Sequence, residues 1–242
     1  MYVLNMSLTL VFVEAAMQIV PEEIRSHPQI RRYASKRGKS RDEVLLDRAF
    51  HHSAMKQLSR TSRRWIPEKM GRPDIVHNAL LQVLETPLNW ENRLKVRIHT
   101  QDGRLISINP NIRLPKNYTR FIGLVEQLFS ENRVPLDGEP LISVEEKSLE
   151  QFVAELAPSK VVGFTRIGKP ELLRNVANST AKATDPMIFI GAFPRGHFTE
   201  NTNRLMNETY SVDNHSLDAW IVAGRFVYDF EWAIGIPEKR LK

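Results

Sequence analysis

The segment Met187-Ile-Phe-Ile-Gly-Ala-Phe-Pro-Arg-Gly196 decides the fold. Its first four residues are a continuous apolar run with no alternation of polar and apolar positions. Such a run belongs to a strand covered on both faces, as the strands of a parallel sheet are. Val161-Val-Gly-Phe164 is a second run of this kind, and Leu8-Thr-Leu-Val-Phe-Val13 reads as a third buried strand. Between the first two, Pro170 to Ala177 reads as a helix. After Gly196 the pattern predicts a helix, a short strand from Thr209 to Val212, the loop Asp213-Asn-His215 and a long helix from Ser216. Strands alternating with helices predict an α/β fold with a largely parallel sheet. Gly191 and Gly196 flank the loop after the strand, and glycines there let a ligand approach the backbone closely. Their spacing matches neither the dinucleotide pattern nor the phosphate loop that ends in Gly-Lys-Ser/Thr.

The N-terminal half reads differently. Val20-Pro-Glu-Glu23 opens a helix, with proline and acidic residues suited to a first turn. Arg31 to Arg41 is basic and breaks at Gly38. Asp42 to Leu58 reads as a helix, Ser59 to Gly71 as a polar, basic loop, and Pro73 to Glu85 as another helix ended by Thr86-Pro87. Leu94 to Ile108 alternates as a hairpin does, with its turn at Asp102-Gly103. Thr119 is the expected cap of a helix whose apolar face is Phe121, Leu124, Val125, Leu128 and Phe129.

A chain of 242 residues that is 42% hydrophobic and 26% charged suits a soluble globular protein with a sizeable core. The absence of cysteine excludes disulfides, thiolate metal sites and cysteine nucleophiles. No apolar run nears the roughly 20 residues of a membrane-spanning helix, and Leu8–Val13 lacks the basic segment of a signal peptide. The net charge of +6 is unevenly placed. Residues 25–72 hold 14 Lys or Arg against 4 Asp or Glu, and residues 91–120 hold 7 against 2. From residue 121 onward the balance reverses, 13 against 17. Two basic stretches on one half of the chain favour a nucleic-acid partner.

Arg72-Pro-Asp-Ile-Val-His77 places an Arg and an Asp two residues apart at the mouth of a helix. Asp74 there complements the helix dipole. It can also hold the Arg72 guanidinium in one orientation, so that it meets a phosphate or base edge. A third role, general base, suits a carboxylate less, because its ordinary pKa is about 3.9. Arg113-Leu-Pro-Lys116-Asn-Tyr118-Thr-Arg120 is a basic loop running into a helix start. A phosphate bound at that helix mouth would offset the unfavourable cation, and Tyr118 is an aromatic able to stack on a base. An exposed loop charged only for solubility is the alternative. His51 and His52 are adjacent, so they face different sides of a helix, and no metal is expected. Trp220, Phe226, Phe230 and Trp232 read as core or subunit contact.

The chain resembles the small-subunit rRNA pseudouridine N1-methyltransferase family, called nucleolar essential protein one in eukaryotes, with archaeal members. The resemblance lies in Val20-Pro-Glu-Glu23, His51-His-Ser-Ala-Met55, Arg72–His77, Asn109-Pro-Asn-Ile-Arg113, Arg120-Phe-Ile-Gly-Leu124, Ile190-Gly-Ala-Phe193 and the closing helix. It implies a SPOUT-type parallel sheet with a C-terminal trefoil knot in one domain, residues 1–242, and a homodimer. The expected parts are a basic helical extension at 25–72, a hairpin and RNA-binding loop at 94–120, and a knot and cofactor region at 160–235. It implies S-adenosyl-L-methionine at Thr165, Gly191, Gly196, Val212, Asp213, Asn214, His215, Ser216 and Leu217. It implies small-subunit rRNA contacts at Arg72, Arg113, Lys116 and Arg120, with Arg72 and Asp74 as the catalytic pair. Position 116 is often Arg in the family; Lys keeps the charge and loses the planar fork. Neither membrane nor metal is expected, and the location is cytoplasmic, or nucleolar in a eukaryote. A methyltransferase of the same superfamily acting on another RNA base, or an assembly factor whose methylation is secondary, are the alternatives.

Overall fold

All eight residues of β1 (Leu8–Ala15) are buried, as its apolar run requires of a central strand. In the computed structural model, which describes residues 6–61 and 65–242, β1 lies between β2 (Leu94–Thr100) and β7 (Met187–Gly191) and is parallel to both. Strand β6 (Val161–Pro170) is parallel to β7, and β8 (Glu208–Ser211) is parallel to β6. The expected hairpin forms from β2 and β3 (Leu105–Ile108), antiparallel. It is extended by β5 (Ile142–Glu145) and β4 (Arg133–Val134), which the sequence reading did not anticipate. The full order is β4-β5-β3-β2-β1-β7-β6-β8. Five parallel strands thus carry an antiparallel flank, and the α/β class holds.

Alternation along β1 divides the core. Leu8, Leu10 and Phe12 face one layer, packed with α3 (Pro73–Leu84), α5 (Tyr118–Glu131), α7 (Leu173–Thr180) and α9 (Ala219–Ala233). Phe226 and Phe230 of α9 are fully buried there, whereas Trp232 is half exposed. Val11 and Val13 face the other layer, with Met187, Phe189 and the unanticipated α6 (Leu149–Leu156).

A separate apolar cluster, including Val20, Ile24, Ile30, Leu46, Met55 and Leu58, holds the basic extension together. Here the helix boundaries depart from expectation. Val20–Glu23 yields one 3-10 turn, Glu22–Ile24, and α1 begins at Pro28, running to Lys36. The helix expected from Asp42 starts only at Arg48, as α2 (Arg48–Thr61). The reason is pairing: Val20 N donates to Val44 O at 2.9 Å, and Leu46 N to Gln18 O at 2.8 Å. Those bonds make residues 44–46 extended, and Asp47 then caps the helix through Ala49 N at 2.8 Å. The loop expected from Ser59 is helical to Thr61, residues 62–64 lie outside the described residues, and Pro67–Lys69 forms a 3-10 turn.

Three further starts shift. Asn117, not Thr119, caps α5, its side chain accepting from Arg120 N at 3.1 Å. β6 runs through Pro170, so α7 starts at Leu173. Asp218 precedes α9, which starts at Ala219 rather than Ser216. Short helices α4 (Pro87–Trp90), α8 (Glu200–Arg204) and α10 (Ile236–Arg240) complete the chain. Among the described residues, no helix is long and apolar enough to cross a membrane.

Candidate active site

Ligands of parallel α/β sheets bind beyond the carboxyl ends of the strands. A cleft of about 540 Å³ opens there, at the ends of β6 and β7, within the usual size range for a small-molecule site. Of the positions expected from the sequence, Thr165, Gly191, Gly196, Val212, Asp213, His215, Ser216 and Leu217 line it. Asn214 shares the loop but is not among the lining residues. Apolar walls from Phe164, Leu217 and Val222 face the polar Thr165, Ser211, Asp213 and Ser216. Such a mixture suits an aromatic base beside hydroxyls and charged ends.

Both glycines are needed for local reasons. A Cβ on Gly191 would stand 2.8 Å from the Phe193 ring. Gly196 has φ +99°, a backbone that L side chains rarely adopt, and its Cβ would reach Lys69 Cε at 3.2 Å. Opposite them, His215 N donates to Asp213 Oδ1 at 2.8 Å, a turn that fixes the loop's shape.

A buried ion pair beneath the cleft escaped the sequence reading. Lys69 Nζ donates to Glu14 Oε2 at 2.6 Å, with both side chains almost wholly buried. It also donates to the carbonyl of His197 and lies 4.2 Å from the centre of the Phe193 ring. The other Glu14 oxygen accepts from Thr199 N at 2.7 Å. Burial pushes the Glu14 carboxyl up, but the Lys69 ammonium and the Thr199 amide outweigh it and hold it below its usual value. The pair thus anchors the 193–199 segment to the end of β1. Its one sequence signal is a carboxylate closing an otherwise apolar strand.

Arg72 stands beside this floor, three residues after Lys69. Its amide donates to Ala16 O at 2.9 Å, just past β1. Its guanidinium is gripped by Asp74 at two points, Nε to Oδ1 at 2.8 Å and Nη2 to Oδ2 at 2.7 Å. Both side chains remain about a third exposed, 37% and 33%. The Asp74 bond raises the Arg72 pKa against the effect of burial, with further help from the charges of Asp218 and Asp47. Asp218 directly follows the cleft loop. The charge of Asp74 in turn reaches Tyr118, at the end of the basic loop.

Arg113, Lys116 and Arg120 are all exposed. Their loop is held from below: His77 Nε2 bonds Pro115 O at 2.7 Å, and Asn89 Nδ2 donates to Pro110 O at 3.0 Å. His77 stacks on Phe121 at 4.4 Å between ring centres. It lies five residues along α3 from Arg72, about 7.5 Å at helical rise, so the loop packs against the same helix that Arg72 and Asp74 open. Tyr118 is the exception. Its hydroxyl donates to the buried Asp47 at 2.6 Å, and its ring packs on the core. Burial, chiefly, raises its pKa, so Tyr118 is a structural tie and not a free stacking ring. His51 is likewise internal: its Nδ1 accepts from Asp47 N at 3.0 Å.

The chain is 37% identical over 229 residues to the ribosomal RNA small subunit methyltransferase Nep1 of Thermococcus kodakarensis, covering 95% of this chain and all of that one. To the protein of the same name from Pyrobaculum calidifontis it is 39% identical over 229 residues, 94% of this chain and 99% of that one. The crystal structure of Archaeoglobus fulgidus Nep1 bound to S-adenosylhomocysteine superposes with a TM-score of 0.82 at 34% identity, covering 95% of this chain and all of that one. With residues 10–231 also matched by the model of the EMG1/NEP1 methyltransferase family, the chain belongs to that family.

Proposed function

We propose that the protein transfers a methyl group from S-adenosyl-L-methionine to N1 of a pseudouridine in small-subunit rRNA, within ribosome small-subunit biogenesis. The observation that carries this reading is adjacency. The Arg72–Asp74 pair is linked on one side to the cleft loop, through the charge of Asp218, and on the other to the basic loop, through Tyr118, beside which Arg113, Lys116 and Arg120 are exposed. Family membership and the S-adenosylhomocysteine bound to the Archaeoglobus relative support the choice of donor.

The cleft fits the donor: its volume is sufficient, Phe164, Leu217 and Val222 provide walls for an adenine ring, and Asp213 provides an acceptor for hydroxyls. When bound, S-adenosyl-L-methionine supplies an electrophilic methyl on a sulfonium. The protein's own task is positioning. Arg113, Lys116 and Arg120 take phosphates, and these contacts set register without reading sequence. Arg72, held flat by Asp74, presents its remaining donors toward the target base. A guanidinium beside the acceptor also favours loss of the N1 proton through its positive charge. Alignment supplies most of the acceleration, and no strong side-chain base is required.

We further propose a homodimer through α9, whose exposed Ile221, Tyr228 and Trp232 recur on one helical face. A knot within residues 160–235 rests on the family resemblance; the strand order β7-β6-β8, by which the chain crosses β6 on its way from β7 to β8, and the packing of α9 against α7 accord with it. A cytoplasmic location, or a nucleolar one in a eukaryote, fits an rRNA substrate. The test of the activity is label transfer. Incubated with labelled donor and small-subunit rRNA, the protein should add one methyl to a single nucleotide, located by mass spectrometry. Unlabelled rRNA would overturn the reading.

A further inference from the structure

The RNA-facing surface needs an aromatic face that Tyr118 does not provide. Cations draw a phosphate chain onto the loop but do nothing to hold bases apart. Extruding one base from a loop leaves its neighbours unstacked, and proteins that bind single-stranded RNA replace that stacking with aromatic rings.

Phe50 is placed for the role. It lies in the first turn of α2, and 46% of its surface is exposed. Its amide donates to Asp47 O at 3.1 Å. The Asp47 carboxylate accepts the Tyr118 hydroxyl, and its charge reaches Arg72. Phe50 is thus one helical turn from the residue that joins the basic loop to the Arg72–Asp74 pair.

The ring is also braced. Tyr33 lies behind it, ring centres 5.0 Å apart at a tilt of 32°. Tyr33 in turn meets the buried His51 ring edge-on at 4.6 Å. Isolated exposed apolar residues need no explanation. An exposed ring backed by two others, on the helix that Asp47 caps and ties to the basic loop, offers a fixed π-face where a polyanion is expected.

We propose that Phe50 stacks on an unpaired base of the bound RNA, flanking the extruded nucleotide. This rests on the rRNA reading above. The stacked base stays in place through the reaction, so its contribution is uniform binding: losing it raises KM and leaves kcat unchanged.

The experiment compares the parent protein with Phe50→Ala, Phe50→Leu and Phe50→Trp on a synthetic rRNA loop. Phe50→Ala and Phe50→Leu should raise KM and Kd by roughly 5- to 100-fold. Phe50→Leu still packs on Tyr33 but has no π-face, so its loss separates stacking from structural support. Phe50→Trp should keep parental affinity. Its added fluorescence should be quenched by the intact loop and not by a loop whose flanking positions are abasic. Parental KM in Phe50→Leu, or equal quenching by the abasic loop, overturns the assignment. So does a change of sedimentation in Phe50→Ala at parental RNA affinity, which would mean that a protein surface covers the ring. A parent that neither binds nor methylates any rRNA loop would remove the rRNA reading itself. A fully active parent with an indifferent Phe50→Leu removes only Phe50.

Discussion

Arg72 and Asp74 are joined by two short bonds across two positions of chain. Neither side chain keeps its present orientation without the other, so they form one functional unit. Removing either should then cost nearly what removing both costs. Arg72→Ala, Asp74→Ala and the double variant are expected to lose similar activity in methyl transfer. Additive losses would instead give Asp74 a separate role, such as accepting the proton. His51 governs a different property. Burial, mainly, and the Arg37 charge push its pKa down to about 4, against an ordinary value near 6.5. Between those values the unfolded chain binds a proton that the folded protein refuses. Stability therefore falls as pH drops through that window and levels off below it. Between pH 7 and pH 5 the parent should lose about 2 kcal/mol more than His51→Gln, measured by urea unfolding. Parallel losses in the two proteins would contradict this.

Lys69 belongs to a 3-10 turn, Glu14 to the end of β1, and both hold the segment before α8. Breaking a buried pair from one side leaves the other charge without its partner, at a cost of roughly 3–5 kcal/mol. Lys69→Met should show that loss in denaturant melts, together with weaker donor binding by calorimetry, because the 193–199 segment is released. Adding Glu14→Gln should restore much of the stability; no recovery would mean that Lys69 acts through packing alone. This pair also marks the boundary of what the sequence reveals. Continuous apolar runs announce β1, β6 and β7, and alternation announces β2 and β3, because those patterns follow from burial along a single strand. Of the nine positions expected to hold the donor, eight line the cleft, and these and the proximity of Arg72 to Asp74 come from motif and resemblance. Glu14 and Lys69 are 55 positions apart, and only the fold makes them partners. Tyr118 misled because its partner, Asp47, is 71 positions away. The Asp42–Asp47 stretch misled because backbone pairing with residues 18–20 overrode its helical spacing.

The charge asymmetry of the chain becomes an arrangement in space. The basic extension docks on α5 through Glu126, fully buried, which accepts from Arg37 at 2.6 and 2.9 Å and pairs with Lys39 at 3.1 Å. Farther along the extension, Lys69 and Arg72 are held by Glu14 and Asp74, while the more acidic C-terminal half lines the cleft. Exposed Ile221, Tyr228 and Trp232 share one face of α9, and Leu172 is exposed at the start of α7, which packs against α9. An apolar stripe of this size suits a twofold contact with a second copy. The parent should sediment as a dimer and Trp232→Glu as a monomer; a monomeric parent would end the proposal. The acceptor atom distinguishes pseudouridine from uridine. In uridine N1 forms the glycosidic bond and has no capacity for a methyl group, whereas in pseudouridine the sugar is attached through carbon and N1 is free. The direct measurement is tritiated methyl transfer to two synthetic rRNA loops differing only in that base. Both loops should bind, since phosphates dominate affinity. Transfer is predicted for the pseudouridine loop and none for the uridine loop, and comparable transfer to both would contradict N1 methylation.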